Sequence, residues 1–194
     1  MRSFIAATLG GLALAVGICS LGMAGDPAEG RKIANSCRTC HGIDGYAQVP
    51  IAPHIGGEPK EYLEAQLMAY RTGDRQHEMM SVVAAGLSAQ QIADVAAWYA
   101  SHTAIAMLPD GQSAEGAPQA CVSCHGADGI SKLLDAPNLA GESNIYLDTQ
   151  LKMFKRGQRQ HDVMSEVAAA LSDAEIREIA NWYASIALEI VSSD

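Results

Sequence analysis

Apolar positions recur at a helical period in two pairs of matching stretches. After Ser88, the residues Ile92, Val95, Ala96 and Tyr99 fall at the three- and four-residue spacing that gathers side chains on one helix face. After Ser172, Ile176, Ile179, Ala180 and Tyr183 do the same. Both series open on a capping box, Ser88 with Gln91 and Ser172 with Glu175, which sets an N-cap hydroxyl three residues before an amide or carboxylate. Earlier in each half, Tyr62, Gln66, Ala69 and Tyr70, and then Tyr146, Gln150, Met153 and Phe154, predict a second helix. Strand signals are weak. The pattern predicts an all-α chain of two small units, each of about three helices joined by long loops.

The pairing extends to the residues themselves. Shifting the chain by 84 residues superimposes its halves without a gap from Cys37 to Tyr99. Cys37-Arg38-Thr39-Cys40-His41-Gly42 falls on Cys121-Val122-Ser123-Cys124-His125-Gly126, Pro53 on Pro137, and Gly57 on Gly141. Arg75-Gln76-His77 falls on Arg159-Gln160-His161, Met80 on Met164, and Trp98-Tyr99 on Trp182-Tyr183. Two domains, 25–104 and 114–194, are therefore expected, with 105–113 as the linker. Pro109-Asp110-Gly111 within it is a turn sequence, because Pro presets φ and Gly tolerates the left-handed region. Upstream of the Cys pairs the repeat fails. Gly30 stands seven residues before Cys37, Gly116 only five before Cys121, and Pro118 interrupts the second stretch, so the second opening helix is expected to be shorter.

Residues 1–24 read as a secretory signal peptide: Arg2, an apolar run from Phe4 to Ile18, and small residues flanking a cleavage site near Ala24. The run is short for a membrane span, which needs about 20 apolar residues. Cleavage would remove Cys19 and Arg2. Four cysteines would remain, with 12 basic against 22 acidic residues, a net charge of −10. Such a balance argues against nucleic acid or anionic lipid as a partner and for a basic protein surface. Aromatic residues make up only 5% of the chain, so two domains of this size would have thin cores and gain from a cofactor at the centre.

The doubled Cys-x-x-Cys-His motif supplies one. Two thiols a helical turn apart can each add across a haem vinyl group, and the adjacent histidine is then held beneath the porphyrin to bind iron. This assigns Cys37, Cys40, Cys121 and Cys124 to haem attachment, and His41 and His125 to the metal. Disulfides would leave the histidines unexplained, adjacent Cys and His do not serve one tetrahedral zinc, and a thioredoxin-like pair needs a βαβ setting. For the sixth ligand the repeat selects Met80 and Met164, each 39 residues after its histidine and expected in a loop before the last helix. Met68, Met79, Met107 and Met153 have no repeated counterpart. Thioether sulfur suits a low-spin electron-transfer iron. His77 and His161, also repeated, are the competing ligands. Arg75 and Arg159 are candidates for haem propionates, against plain surface charge. His54 aligns with Asn138 and His102 with Ile186, which assigns neither to a duplicated site. Pro53 and Gly57, with Pro137 and Gly141, are expected to shape the loop over the histidine side of each haem.

These two motifs, with Met80 and Met164 ahead of Leu-Ser, resemble a dihaem class I cytochrome c of the cytochrome c4 type over nearly all of residues 25–190. The resemblance implies two tandem class I cytochrome c domains about a pseudo-twofold axis, two covalently bound haem c groups, His/Met ligation, and propionates near the domain interface. It implies a periplasmic electron carrier with no catalytic residues. The donor would be a quinol-oxidising complex or a dehydrogenase, the acceptor a terminal oxidase, and a position peripheral to the membrane fits that role. Two alternatives remain open. One is the haem subunit of a periplasmic dehydrogenase, as in flavocytochrome c. The other is a dihaem peroxidase, which needs one open iron position and so asymmetric halves. The strongly acidic charge and the shortened second opening helix depart from the family pattern.

Overall fold

The computed structural model describes residues 24–192, so the expected signal peptide lies outside the described residues except for Ala24. In the first half α1 spans Pro27–His41, α2 Lys60–Thr72, α3 Met80–Ala85 and α4 Ala89–Ala100, and β1 follows at Thr103–Met107. The second half contains α5 (Gln119–His125), α6 (Asn144–Lys155), α7 (Asp162–Ala169), α8 (Asp173–Ala184) and β2 (Ala187–Val191).

Local chemistry explains the helix bounds. Asp26 caps α1 by accepting from Ala28 N–H at 2.8 Å, and Pro27 occupies the first turn, where its missing N–H costs nothing. Both expected capping boxes are formed, at Ser88 with Gln91 and at Ser172 with Glu175. The opening helices differ as expected, with 15 residues in α1 and 7 in α5. The helix α1 lies against α4 at very short range, because a Cβ on Gly30 would stand 1.9 Å from Asp94 O. Asp94 reinforces the contact by accepting from Asp26 N–H at 2.9 Å.

Two expectations need correction. Among the described residues each half has four α-helices and not three, since a short helix, α3 or α7, precedes the capped last one. The stretch expected to begin the linker is instead a strand: β1 pairs antiparallel with β2. Each bound of β2 lies 84 positions after that of β1. Ile105 pairs with Glu189, its own repeat equivalent, while Thr103 pairs with Val191 and Met107 with Ala187. The register is therefore symmetric about the Ile105–Glu189 pair, which marks a pseudo-twofold axis relating the halves.

The cores are small and matched. Ala34, Leu63, Val95, Ala96 and Tyr99 form one, and Ala140, Leu147, Ala180, Tyr183 and Ile186 the other. Tyr99 and Tyr183 donate their hydroxyls to Gly42 O (3.2 Å) and Gly126 O (3.3 Å), tying the last helices to the residues that follow the Cys-His motifs. Gly57 (φ 73°) and Gly141 (φ 69°) turn the intervening loops and approach the strands closely. A Cβ there would stand 2.5 Å from Ala104 N and from Leu188 Cβ, respectively.

Candidate functional site

The last turns of α1 and α5 present the paired cysteines and the histidine of each motif. His41 and His125 are buried, at 8% and 6% exposure. His41 Nδ1 lies 2.9 Å from Pro53 O, and His125 Nδ1 lies 2.8 Å from Pro137 O. A carbonyl can only accept, so Nδ1 carries the proton and the lone pair of Nε2 is available to a metal. Burial lowers the pKa of both imidazoles, outweighing the carbonyl bond, and keeps them neutral, as a ligand must be. Among the described residues Cys37, Cys40, Cys121 and Cys124 form no disulfide. Burial pushes the Cys37 and Cys121 thiols up. Pro53 and Pro137 thus perform the expected role, setting the histidine side of each pocket through their carbonyls.

One apolar cavity runs through both halves. Cys37, His41 and Met80 of the first half line it, as do Cys121, Cys124, His125 and Met164 of the second. Cys40 is exposed. Each half thus contributes a metal-competent imidazole and a thioether to a cavity lined by Leu, Val and Ala side chains.

The methionines are not in loops as expected. Met80 begins α3, and Met164 lies in the first turn of α7. His77 and His161 hold those turns. His77 Nδ1 accepts from the N–H groups of Met79 and Met80, both at 3.3 Å, and His161 Nδ1 accepts from Val163 and Met164 at the same distances. In return Ser81 and Ser165 hydroxyls accept the histidine N–H groups at 3.0 Å. This reciprocal cap gives the repeated histidines a structural task beside the methionines.

Arg75 and Arg159 are buried rather than spread over the surface, at 6% and 8% exposure. Arg75 donates to Gln66 Oε1 (2.6 Å) in its own half and to Gln150 Oε1 (2.8 Å) in the other. Arg159 mirrors it, donating to Gln150 Oε1 (2.8 Å) and Gln66 Oε1 (2.9 Å). Neither makes an ion pair with a carboxylate among the described residues. Two buried guanidinium groups without a carboxylate, bordering an apolar cavity, fit a ligand that is a flat hydrophobe with an anionic edge, as haem is.

Sequence reasoning missed a second crossing. His54 accepts from Ala47 N–H at Nδ1 (2.9 Å) and donates from Nε2 to Gly141 O (3.1 Å). Asn138 accepts from Ser131 N–H (2.9 Å) and donates to Gly57 O (3.0 Å). Despite their different chemistry, His54 and Asn138 do form a duplicated site, a structural one that locks the loops together.

Comparison with known proteins agrees with this geometry. Residues 27–103 match the family described as Cytochrome c, and residues 110–182 match that described as Cytochrome C oxidase, cbb3-type, subunit III. Cytochrome c4 of Pseudomonas aeruginosa is 33% identical over 190 residues, which covers 88% of this chain and 94% of that protein. A protein of Stutzerimonas stutzeri named thiosulfate dehydrogenase electron acceptor is 31% identical, covering 86% of this chain and 90% of its own length. The crystal structure of reduced recombinant cytochrome c4 from Pseudomonas stutzeri superimposes with a TM-score of 0.73 at 28% identity, covering 84% of this chain and all of that one.

Two cytochrome c domains in tandem, each with an attachment motif bordering the apolar cavity, define a dihaem c-type cytochrome with two covalently bound haem c groups. Its function is electron transfer. Among such proteins the chain belongs to the cytochrome c4 family.

Proposed function

We propose that the protein is an exported carrier that passes single electrons between redox proteins and carries out no bond chemistry on a substrate. The observation that carries this reading is the duplicated lining, in which His41 and Met80 of one half, and His125 and Met164 of the other, border one apolar cavity. The bound haems supply a one-electron iron couple. The chain's own residues do the rest. Cys37 and Cys40, and Cys121 and Cys124, anchor the two groups by thioethers. The Pro53 and Pro137 carbonyls hold the imidazoles in the correct tautomer, and α3 and α7 present the thioethers. His41 with Met80, and His125 with Met164, would hold the two irons and leave no position for a reactant. Matching halves argue against a dihaem peroxidase, in which one position must stay open.

Exposed apolar residues beside the pockets, Met79 and Val82 in the first half and Val163 in the second, offer contact surfaces where a partner can approach a haem edge. The surrounding acidic charge favours partners with basic surfaces. Domains at 25–104 and 114–194, joined through 105–113, are the proposed units, and residues 105–107 serve in β1 as well. Location in the periplasm follows from the expected signal peptide, and no helix among the described residues is long and apolar enough to cross a membrane. The donor would be a quinol-oxidising complex or a dehydrogenase, and the acceptor a terminal oxidase. The relative named as a thiosulfate dehydrogenase electron acceptor favours a second reading, in which this chain serves a dehydrogenase directly. Co-purification of a catalytic polypeptide would select it.

Met80→Ala and Met164→Ala test the ligand set. Each should lower the potential of one haem and open that iron to cyanide, read by absorbance. A spectrum unchanged in either variant would remove that methionine as a ligand. Mass spectrometry of the exported protein should give the polypeptide plus two haems, and a bare polypeptide mass would overturn the function itself.

A further inference from the structure

Glu58 and Glu142, equivalent in the repeat, sit where the two loops cross. They are 5% and 3% exposed and border the cavity that joins the two pockets. Glu58 Oε2 accepts from the backbone N–H of Asn138 at 2.9 Å. The Glu142 carboxyl faces the backbone N–H groups of His54 and Ser143, which oppose the rise in its pKa. Each glutamate therefore reaches into the opposite half. The peptide units it meets are the ones that hold the histidines. Pro137 O, bonded to His125, and Asn138 N–H belong to one peptide plane, as do Pro53 O, bonded to His41, and His54 N–H.

A carboxylate on the N–H side of a peptide polarises it and makes the carbonyl a stronger acceptor. A stronger acceptor pulls the Nδ1 proton outward and enriches the imidazole, which favours oxidised iron. A neutral carboxyl on the same N–H relaxes that pull. We propose that Glu58 and Glu142 form a buried proton-binding pair that tunes each haem from the opposite domain, through the peptide units of residues 137–138 and 53–54. The proposal rests on His41 and His125 being axial ligands.

The surroundings favour proton binding. Burial pushes the Glu58 carboxyl up to about 8, against the opposing effect of the Asn138 N–H. Burial and then the neighbouring charge of Glu58 raise Glu142 well above its usual range. Glu142 Oε2 has no hydrogen-bond partner among the described residues. Neither glutamate makes an ion pair there. From α2 the facing group is Tyr62, and Tyr146, Arg75 and Arg159 line the same cavity. His54 faces from the loop, where its Nδ1 accepts an N–H and so holds the ring neutral. On the solvent side Lys60, Glu61, His102 and Lys132 border the same cleft as Glu58. Lys60 is committed to Glu64 at 2.7 Å, and His102 lies 3.5 Å from Asp44. When a redox partner donates one electron to an iron, one carboxylate takes one proton from solvent and becomes a carboxylic acid. The interior then gains no net charge, and reoxidation releases both.

The test is spectroelectrochemical titration of the intact dihaem protein from about pH 5 to about pH 9, spanning the carboxyl's shifted range. Paramagnetic NMR reports the two haems separately. Potentials should fall as pH rises toward 8. Glu58→Gln, which can still accept the Asn138 N–H, should flatten the profile of the haem held by His125. Glu142→Gln should flatten that of the haem held by His41. Proton uptake on reduction, measured with an indicator dye in weak buffer, should drop at least twofold in the double variant. An unchanged profile in the double variant would assign the dependence to the haem propionates and overturn the proposal, as would flattening confined to the haem of the same domain. If the variants do not fold, the native protein still decides: uptake centred near pH 8 supports the pair, and uptake absent above about pH 6 overturns it. Should Met80→Ala and Met164→Ala behave as ligand losses while the glutamate variants keep the native pH profile, the ligand set survives and the tuning pair does not.

Discussion

His77 and His161 each accept two backbone hydrogen bonds at Nδ1, and each bond belongs to the turn that carries a methionine. A helix of six residues such as α3 has little cooperative stability of its own, so its cap matters more than it would in a long helix. His77→Ala should weaken that turn by about 1 kcal/mol. The expected outcome is a several-fold rise in the affinity of added imidazole for the first haem, measured by absorbance titration, with His77→Asn restoring most of the native value. Equal affinity in all three proteins would make the cap irrelevant to the ligand. The cysteines, histidines and methionines proposed for attachment and ligation stand out in the sequence because that chemistry demands fixed residue types. The capping role does not, because a histidine near a methionine reads equally well as a ligand.

Among the elements, the pairing of α1 with α4 depends on the absence of a side chain at one place. Gly30→Ala would put a Cβ 1.9 Å from the Asp94 carbonyl, and backbone has to move to relieve it. Overpacking of this kind costs about 1–3 kcal/mol. A melt followed by far-UV circular dichroism should show a lower Tm. Gly116→Ala is the control, since its Cβ would meet only the ring edge of Trp182, at 3.0 Å, and it should cost less. Helices with capping boxes and apolar stripes were readable in advance. The β1–β2 ladder was not, because its strands stand 84 residues apart and alternate only small and medium side chains. No hairpin turn announces a pairing between two separate halves.

For the molecule as a whole, burial of Glu58 makes stability depend on pH. Its folded pKa, about 8, lies above the usual 4.5, so the folded state binds the extra proton. The contribution is therefore complete below about pH 4.5 and is lost as pH rises toward 8, by at most about 1.4 kcal/mol per pH unit. Guanidinium unfolding between about pH 6.5 and 8 should show stability falling more steeply in the native protein than in Glu58→Gln, which keeps the same histidines. Equal slopes would place that charge elsewhere. Net charge acts at the same scale. With 22 acidic against 13 basic residues, electron exchange with a basic partner should slow as ionic strength rises, and stopped-flow rates that stay constant with salt would exclude electrostatic docking.

By itself the sequence determined the duplication, the attachment chemistry and the candidate ligands, because each is written in residue identity and short spacing. Tertiary structure alone decided how the halves meet. The crossed arginines and glutamines, the His54–Asn138 lock and the Glu58–Glu142 pair join residues about 70–90 positions apart. No local pattern encodes such contacts, since their bonds exist only once both domains have folded and turned about their common axis.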